Sequence, residues 1–307
     1  MKDSTHWAQL EERSTLWGMR FLLRIYLLLG RRVLQVFLYP VVTYYWMINS
    51  CGRRASQAYL SKVAKYIPAS KLNTYQHFIS FANAIIDKLA AWSGGLSLVD
   101  VKYHGRDQML AERKTGRGVV LLGSHLGNLE VCRVIAYLDQ AIHINVLVHT
   151  KHAEKFNKLL NQYSDHSRLS LIQVTEITAA TSILLNDKID NGEIVIIAAD
   201  RTPVSQTPRV AKVDFLGDQA LFPQGPFILA SLLKCPVYTV FCLKEQSKHA
   251  IYFDFFSAEL KFPKKYREQA IAQTIQLYAE RLQYYCLKAP LQWFNFFDFW
   301  HIENNDE

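Results

Sequence analysis

Cysteines and charged residues are scarce in this sequence of 307 residues, and internal repeats and low-complexity linkers are absent. The five cysteines form no CxxC pair, which argues against a disulfide framework or a zinc site and favours a reducing compartment. Only 20% of the residues are charged and 50% are apolar, so the composition excludes a disordered chain. We predict a folded protein without a metal site, whose core thiols include Cys132, Cys235, Cys242 and Cys286.

The sequence also has no recognisable secretory signal. Its first sixteen residues are polar and include Glu11, Glu12 and Arg13, and no small-residue cleavage site follows an uninterrupted apolar run. The formal charge is +8 and the isoelectric point is near 9.1, which indicates an anionic partner. Nucleic acid, acidic lipid headgroups and an acidic carrier protein all meet this requirement, and charge alone does not choose among them.

The first apolar segment runs from Trp17 to Leu29 and is interrupted by two arginines. Arg20 and Arg24 are four residues apart and share one helical face, which Arg31 continues. A helix with a cationic stripe and an otherwise apolar surface suits the membrane–water interface, where arginine meets lipid phosphates. This segment therefore predicts a helix at a membrane surface.

A second apolar segment, Val33–Ile48, is uncharged and contains Pro40. It is shorter than the run of about 20 residues that crosses a bilayer, and its aromatic residues resemble an interfacial belt. We predict a re-entrant or in-plane insertion, with the three arginines above and Trp46 as membrane contacts. The alternative is a helical hairpin packed on the globular core. Residues 1–57 form the predicted membrane-associated region.

The rest of the chain, residues 58–307, predicts one α/β domain. After a helical stretch over Ala58–Trp92, apolar runs such as VVLL and IVIIAA alternate with helical patterns, which predicts a mixed, mostly parallel sheet flanked by helices. The predicted strands are Leu96–Tyr103, Gly118–Leu122, Ile142–Val148, Leu169–Val174, Glu193–Ala199, Pro236–Leu243 and Ile251–Phe256. The predicted helices are Gly127–Tyr137, Ala153–Tyr163, Ile177–Ile189, Pro226–Leu233 and Arg267–Leu287.

Reacting groups in open α/β sheets gather where strands end and helices begin. The junction that fits best is GVVLLGSHLGNLE, which ends at Glu130. The strand ends at Leu122, and Gly127 lets the backbone approach closely. This junction presents His125 in the turn and Glu130 in the first turns of the next helix.

The spacing between His125 and Glu130 is weak evidence by itself. With ten histidines and 27 acidic residues in 307 positions, about one histidine is expected by chance to have an acidic residue five positions after it. Only His125 combines a strand, a glycine turn and a helix, and His149 ranks second because it also follows a strand. The other pairs with this spacing are His6/Glu11, His149/Glu154, His249/Asp254 and His301/Asp306.

A neutral imidazole at this junction can accept the proton of an acceptor hydroxyl while the hydroxyl oxygen attacks a thioester carbonyl. A carboxylate on the far ring nitrogen fixes the tautomer and stabilises the imidazolium, which is the predicted role of Glu130. The backbone N–H groups of Gly127 and Asn128 are predicted to stabilise the oxyanion. The alternative interpretation is a surface histidine with an incidental glutamate.

The sequence over residues 118–241 resembles the lysophospholipid acyltransferase superfamily, especially the bacterial lipid A late acyltransferases. GSHLGNLE, residues 123–130, resembles the block in which an acidic residue stands five positions after the histidine. IVIIAADRTPV and FPQGPFILASLLKCPVYTVF resemble the family's substrate-positioning loop and its following helix and strand. The two ends of the chain look most like an uncharacterised branch that occurs with aryl-polyene or glycolipid clusters.

The resemblance implies a His125 base with Glu130 as its partner, and a set of substrate-binding residues. Arg201 is a candidate for binding an acidic headgroup or the phosphate of phosphopantetheine. After Asp200 this chain has Arg-Thr-Pro where the glycerol-phosphate branch has Gly-Thr-Arg, which argues against a simple lysophosphatidic acid as acceptor. The implied substrate-binding residues are Ser124, Gly127, Asn128, Asp200 and Arg201.

The resemblance further implies an O-acyltransferase on the cytoplasmic face of the bacterial inner membrane. It would need no bound cofactor, with an acyl carrier protein or CoA thioester as donor and a membrane lipid or glycolipid hydroxyl as acceptor. The aromatic tail Trp293–Trp300 is either core or a lipid-facing lid.

Three other functions compete with this one. A lipid thioesterase or lipase would need a nucleophile, but GxSxG is absent and Ser124 is expected to point away from His125. A non-catalytic peripheral membrane protein would leave the glycine-rich junction unexplained. Nucleic-acid binding is disfavoured because the arginines lie beside apolar sequence.

Overall fold

A seven-stranded sheet organises the part of the chain that the computed structural model describes, residues 16–68, 71–92, 101–113, 116–129, 142–148, 169–173, 179–202, 208–246 and 248–300. Across the sheet the strands run in the order β1-β9-β8-β2-β5-β3-β4, and every neighbouring pair is parallel except β8–β9. The predicted mixed, mostly parallel sheet is confirmed, and each predicted strand overlaps an observed one. The sheet strands are β1 Val101–His104, β2 Val119–Gly123, β3 Ile144–Val148, β4 Leu169–Gln173, β5 Ile194–Ala198, β8 Val237–Glu245 and β9 Lys248–Ser257.

Helices cover both faces of this sheet, as the continuous apolar strands require. Alternate residues of β2 point to opposite faces, so Val120 and Leu122 pack with α2, α5, α6 and α7, whereas Val119 and Leu121 pack with α4. The predicted helix Gly127–Tyr137 from residue 130 onward, and the whole of the predicted helix Ala153–Tyr163, lie outside the described residues. The described helices are α1 Leu16–Ile48, α2 Ser50–Tyr66, α3 Thr74–Trp92, α4 Arg106–Arg113, α5 Ala179–Asp190, α6 Gly225–Leu233 and α7 Arg267–Lys288.

The predicted helical stretch Ala58–Trp92 is two helices rather than one. The chain leaves α2 at Tyr66 and enters α3 at Thr74, with Pro68 between them, where a proline disfavours a continuing helix. The helix α2 begins at Ser50, with the Asn49 side chain accepting a hydrogen bond from the N–H of Gly52 at 2.9 Å. The domain boundary predicted after residue 57 therefore falls inside α2.

The structure also contains a separate antiparallel hairpin that was not among the predicted strands. It consists of β6 (Val210–Phe215) and β7 (Asp218–Pro223). The turn residues Leu216 and Gly217 both have positive φ, 54° and 81°, as a two-residue turn between twisted strands requires. Phe215 and Phe222 are buried with ring centroids 5.4 Å apart, so the hairpin contributes to the core.

The N-terminal helix α1 bends at Gly30, whose φ of 75° and ψ of 179° are not helical. Glycine tolerates this positive φ, and the bend separates the two apolar segments identified in the sequence. Among the described residues, α1 is the one helix long and apolar enough to cross a membrane. Its segment Arg24–Ile48 has a mean hydropathy of 1.4, and 11% of its apolar window is buried inside the protein. By length and composition this segment is a candidate for membrane association.

Helix α1 lies antiparallel along α3 and turns its polar side chains toward it. Gln35 Nε2 donates to Asn83 Oδ1 at 2.8 Å, and Thr43 Oγ1 lies 2.9 Å from the Tyr75 hydroxyl. The outward side of α1 is apolar and exposed, and its exposed residues include Leu28, Val36, Phe37, Val41, Tyr44 and Met47. Packing on the globular domain and an apolar outer surface therefore occur together in one helix.

The residues predicted to contact a membrane occupy different positions. Arg24 is exposed, whereas Arg31 pairs with α3. Trp46 donates its indole N–H to Thr74 Oγ1 at 3.0 Å, and its ring lies 5.6 Å from the Arg53 guanidinium. The side chain of Arg20 lies outside the described residues. Arg31 and Trp46 thus anchor α1 to its neighbours.

Asp87 of α3 is 2% exposed and joins α1 to the sheet. Arg31 of α1 forms an ion pair with its Oδ1, and Lys244 Nζ, near the end of β8, lies 2.7 Å from its Oδ2. His249 Nε2 of β9 lies 3.8 Å from the same oxygen. Because an uncompensated buried charge is costly, these contacts depend on one another.

Replacing Asp87 with asparagine is expected to destabilise the fold by about 1.5–3 kcal/mol, because the buried carboxylate would lose its charge-assisted hydrogen bonds from Lys244 and Arg31. Urea unfolding of the detergent-solubilised protein measures the change. The matched control is Asp218→Asn, which removes an ion pair between Lys62 and a carboxylate that is 44% exposed and is expected to change stability less. An equal loss in both variants would contradict the role assigned to Asp87.

Candidate active site

The candidate site forms where two adjacent parallel strands end. β2 pairs in register with β5, and Gly123 lies opposite Ala198. Parallel strands bring their carboxyl ends to the same edge of a sheet, and the pairing continues as the N–H of Ala199 donates to the carbonyl of Gly123 at 2.9 Å. His125 and Asp200, each two residues beyond the end of its strand, therefore lie side by side.

Asp200 contacts His125 with both carboxylate oxygens. His125 Nδ1 lies 2.8 Å from Asp200 Oδ1, and the backbone N–H of His125 donates to Oδ2 at 2.8 Å. The Asp200 side chain is 1% exposed and that of His125 is 36% exposed. An ionised carboxylate only accepts hydrogen bonds, so Nδ1 carries the proton and Nε2 keeps a lone pair. The arrangement presents a basic nitrogen beside an opening to solvent.

Burial and the neighbouring charges together set the protonation states of His125 and Asp200. Burial and then the positive charge of Arg201 lower the pKa of His125, against the opposing effect of Asp200, and Lys88 lowers it further. For Asp200, burial alone would raise the pKa, but His125 and Arg201 outweigh it and lower the pKa overall. At neutral pH the pair is therefore a neutral imidazole and a carboxylate, which is the state a general base requires.

Trp293 contributes a third donor to Asp200. Its indole N–H donates to Asp200 Oδ2 at 3.0 Å, and the residue is fully buried. The aromatic tail runs beside the histidine turn, because the N–H of Phe294 donates to the carbonyl of His125 at 3.1 Å. Trp293 therefore belongs to the core and not to a lipid-facing lid. The sequence offered no spacing signal for this contact, since 93 residues separate the partners.

The two N–H groups predicted to form an oxyanion hole, those of Gly127 and Asn128, both have hydrogen-bond acceptors within the protein. The N–H of Gly127 donates to the carbonyl of Gln292 at 2.7 Å, and the N–H of Asn128 donates to that of Cys242 at 2.9 Å. Both groups are therefore committed to backbone partners. Gly127 has φ +72°, and a Cβ there would lie 1.8 Å from the Cys242 carbonyl oxygen. Its lack of a side chain serves chain packing.

The other predicted substrate-binding residues differ in exposure. Ser124 is 3% exposed, and its hydroxyl accepts the N–H of Leu126 at 3.2 Å, which is a structural contact. Arg201 is half-buried; it donates to the carbonyl of Phe294 at 3.0 Å and lies 5.8 Å from the Phe297 ring. Its charge thus stays beside His125.

Glu130, the predicted partner of His125, lies outside the described residues, so its role stays a prediction. Glu130 was predicted on the ring nitrogen that faces away from the acceptor, and at Nδ1 the structure has Asp200. The family resemblance predicted Asp200 as a substrate-binding residue, and in the structure Asp200 contacts the histidine itself. Within the described residues, no group of three or more metal-ligating side chains occurs.

The sequence matches the family of bacterial lipid A biosynthesis acyltransferases over residues 9–301. The chain belongs to this family. The match extends the resemblance found over residues 118–241 to include α1 and the aromatic tail. No curated protein matches the sequence at a significant level.

Membership establishes this protein as an acyltransferase of the lipid A type, with an acyl donor and a lipid acceptor as substrates. It also agrees with a membrane-associated protein, for which α1 offers the candidate segment. The acyltransferase predicted from the sequence is confirmed at this level.

A buried histidine, His77 of α3, supports Trp293 from the side opposite Asp200. His77 Nε2 lies 3.0 Å from the Trp293 carbonyl oxygen, and the Ser56 hydroxyl of α2 lies 2.9 Å from His77 Nδ1. Because a carbonyl only accepts, Nε2 is the donor and Nδ1 accepts from the serine. Burial lowers the pKa of His77 to about 4.

The low pKa of His77 predicts a loss of stability in acid. A histidine that is neutral in the fold contributes fully above its ordinary pKa of 6.5, and the contribution disappears as the pH falls through about 4. The part due to His77 is about 3 kcal/mol. Urea unfolding at pH 7.5 and 4.5 measures it, and the variant Ser56→Ala/His77→Phe should lose less stability between these pH values than the wild type. Equal losses would contradict the prediction.

Proposed function

We propose that this acyltransferase moves a fatty or polyene acyl group from a thioester to a hydroxyl of a membrane lipid or glycolipid, with His125 as general base. The observation that carries the proposal is the Nδ1 contact of His125 with buried Asp200 at 2.8 Å. It fixes the tautomer in which Nε2 is free of hydrogen. The donor is an acyl carrier protein or a CoA thioester.

The reaction follows from this tautomer. His125 Nε2 accepts the proton of the acceptor hydroxyl as the oxygen bonds to the thioester carbonyl carbon. The tetrahedral intermediate then expels the thiolate, the carbon–sulfur bond breaks, and the imidazolium returns its proton to the sulfur. Asp200 stabilises the imidazolium between these steps. The acceptor supplies the nucleophilic oxygen, so no nucleophilic side chain is required.

Positive charge beside the base fits the proposed substrates. Arg201 and Lys88 both act electrostatically on His125. Phosphopantetheine, CoA and acidic lipid headgroups all carry phosphate, which arginine recognises well. We propose that Arg201 orients such a phosphate, whereas Asp200, at 1% exposure, acts on the histidine. Glu130 remains a candidate second carboxylate near the base.

The proposed location is the cytoplasmic face of the bacterial inner membrane. The exposed apolar side of α1 would enter the lipid, and the formal charge of +8 would favour an anionic surface. The same helix is fixed to α3, which carries Lys88. The lipid acceptor would then reach the base without leaving the membrane surface.

A hydrolase that uses the same base with water as acceptor is the alternative in another enzyme class. The buried Ser124 hydroxyl, bonded to the N–H of Leu126, does not favour a serine nucleophile there. Free fatty acid as the product would distinguish hydrolysis from transfer.

The first test incubates membranes with purified enzyme and labelled acyl carrier protein. His125→Ala is expected to lose about a hundredfold or more of lipid labelling, as the loss of a general base commonly does. His143→Ala, at an exposed histidine just before β3, is the matched control and should keep wild-type activity. Unchanged activity in His125→Ala would remove the proposal.

Asp200→Asn is expected to lower kcat by about a hundredfold or more through the wrong histidine tautomer. Because Oδ2 receives two N–H groups, the amide oxygen must stay there and the amide nitrogen must face Nδ1. The histidine proton then moves to Nε2. Glu130→Gln in the same assay measures the second carboxylate. A large loss in Glu130→Gln with none in Asp200→Asn would transfer the orienting role to Glu130.

A further inference from the structure

Trp293 links the catalytic pair to the helical layer through hydrogen bonds at two of its groups, the main-chain carbonyl and the indole N–H. The Ser56 hydroxyl donates to His77 Nδ1, and His77 Nε2 donates to the Trp293 carbonyl. The Trp293 indole N–H then donates to Asp200 Oδ2, whose other oxygen holds His125. Asp200 thus accepts from Trp293 on one side and from His125 on the other.

We propose that Trp293 is a positioning residue that orients the Asp200 carboxylate and thereby sets the direction and basicity of His125, and that His77 holds Trp293 in place. This inference rests on the proposed function of His125. Trp293 is fully buried, and its indole N–H is bonded to Asp200. It acts through Asp200.

The surroundings of Trp293 leave its ring little freedom. Its centroid lies 5.0 Å from that of Tyr59, 5.3 Å from Phe215 and 4.9 Å from Phe299, all in edge-to-face contact. The residue is fully buried. A rigid donor on Oδ2 prevents rotation of the carboxylate, so Oδ1 stays aimed at Nδ1. The turn at His125 and the aromatic tail at Trp293 thus together fix the orientation of the Asp200 carboxylate.

Removing the indole N–H has a predictable electrostatic sign. A donor on Oδ2 spreads the charge of Asp200 and weakens its attraction for the imidazolium. Without that donor the carboxylate attracts the imidazolium more strongly, so the pKa of His125 rises and the base becomes protonated at higher pH. The other charged or titratable groups that act on the pair stay in place: Lys88, Arg201, Tyr278 and Cys286.

The experiment compares the variants Trp293→Phe and Trp300→Phe in the labelled acyl transfer assay across pH 5 to 9. Trp300 lies 6.0 Å from Trp293 in the same aromatic cluster, and its N–H donates to the Phe215 carbonyl at 3.3 Å. We expect Trp293→Phe to lower kcat about tenfold at pH 7, with KM for the donor little changed. Its acid limb should move to higher pH. Trp300→Phe should keep the wild-type pH profile.

A second variant protects the test against misfolding of Trp293→Phe. Ser56→Ala/His77→Phe removes both polar groups beyond Trp293 and keeps an aromatic ring in the cluster, and it leaves the indole N–H in the chain. We expect a smaller fall in kcat and an acid limb displaced in the same direction. A wild-type pH profile in this variant, or in a folded Trp293→Phe, overturns the inference.

Failure of this inference is separable from failure of the proposed function. If the wild type forms no labelled lipid, the proposed function is wrong. If the wild type is active, His125→Ala is inactive, and Trp293→Phe shares the pH profile of Trp300→Phe, only the positioning role is lost. A loss of equal size in both tryptophan variants without a change of pH profile also counts against it, because packing alone would then explain the loss.

Discussion

The contact between His125 and Asp200 depends on the parallel pairing of β2 with β5. Neither residue is near the other in sequence, and 75 positions separate them. Because the two strands are in register and end together, the residues just beyond them are placed at hydrogen-bonding distance without any special loop. A slip of one residue would turn each side chain to the opposite face of the sheet. Sheet register therefore determines whether this protein has a base.

The second constraint is the burial of Asp200. A carboxylate at 1% exposure needs donors for both oxygens, because an unsatisfied buried charge is costly. His125 supplies two of them and Trp293 the third. The aromatic tail is thereby required by the site as well as by the core. The amide groups at Gly127 and Asn128 illustrate the same rule, since backbone carbonyls already satisfy them.

Local pattern predicted the elements of the sheet well. Continuous apolar runs such as VVLL and IVIIAA mark β2 and β5, and Gly123 ends β2 two residues before His125. The β6–β7 hairpin carried a signal too, since VAKVDF alternates in the period of a half-buried strand before Leu216 and Gly217. The longer apolar runs on either side of the hairpin carry a stronger signal.

Contacts between distant segments account for what the sequence did not predict. The pairing of Asp200 with His125 follows from strand order, which no local period encodes. The Trp293 contact needs both that order and the course of the chain after α7. Polar residues in an apolar segment also have two interpretations. Arg31 at a membrane surface and Arg31 on a buried aspartate differ only in the helix beside it, and the structure places Asp87 there.

Helix α3 lies between α1 and the active site, and it contacts each of them with a different side. His77, Phe81, Ala84 and Lys88 recur at helical spacing and share the side that faces the site: Phe81 contacts Phe294, and the Ala84 carbonyl accepts from the Asn128 side chain. Tyr75, Asn83 and Asp87 lie on another side, which holds α1. One rigid helix therefore fixes both the apolar surface of α1 and the neighbourhood of His125. The residues that hold α1, Asn83 and Asp87, and the cation that acts on His125, Lys88, therefore lie within two turns of one helix.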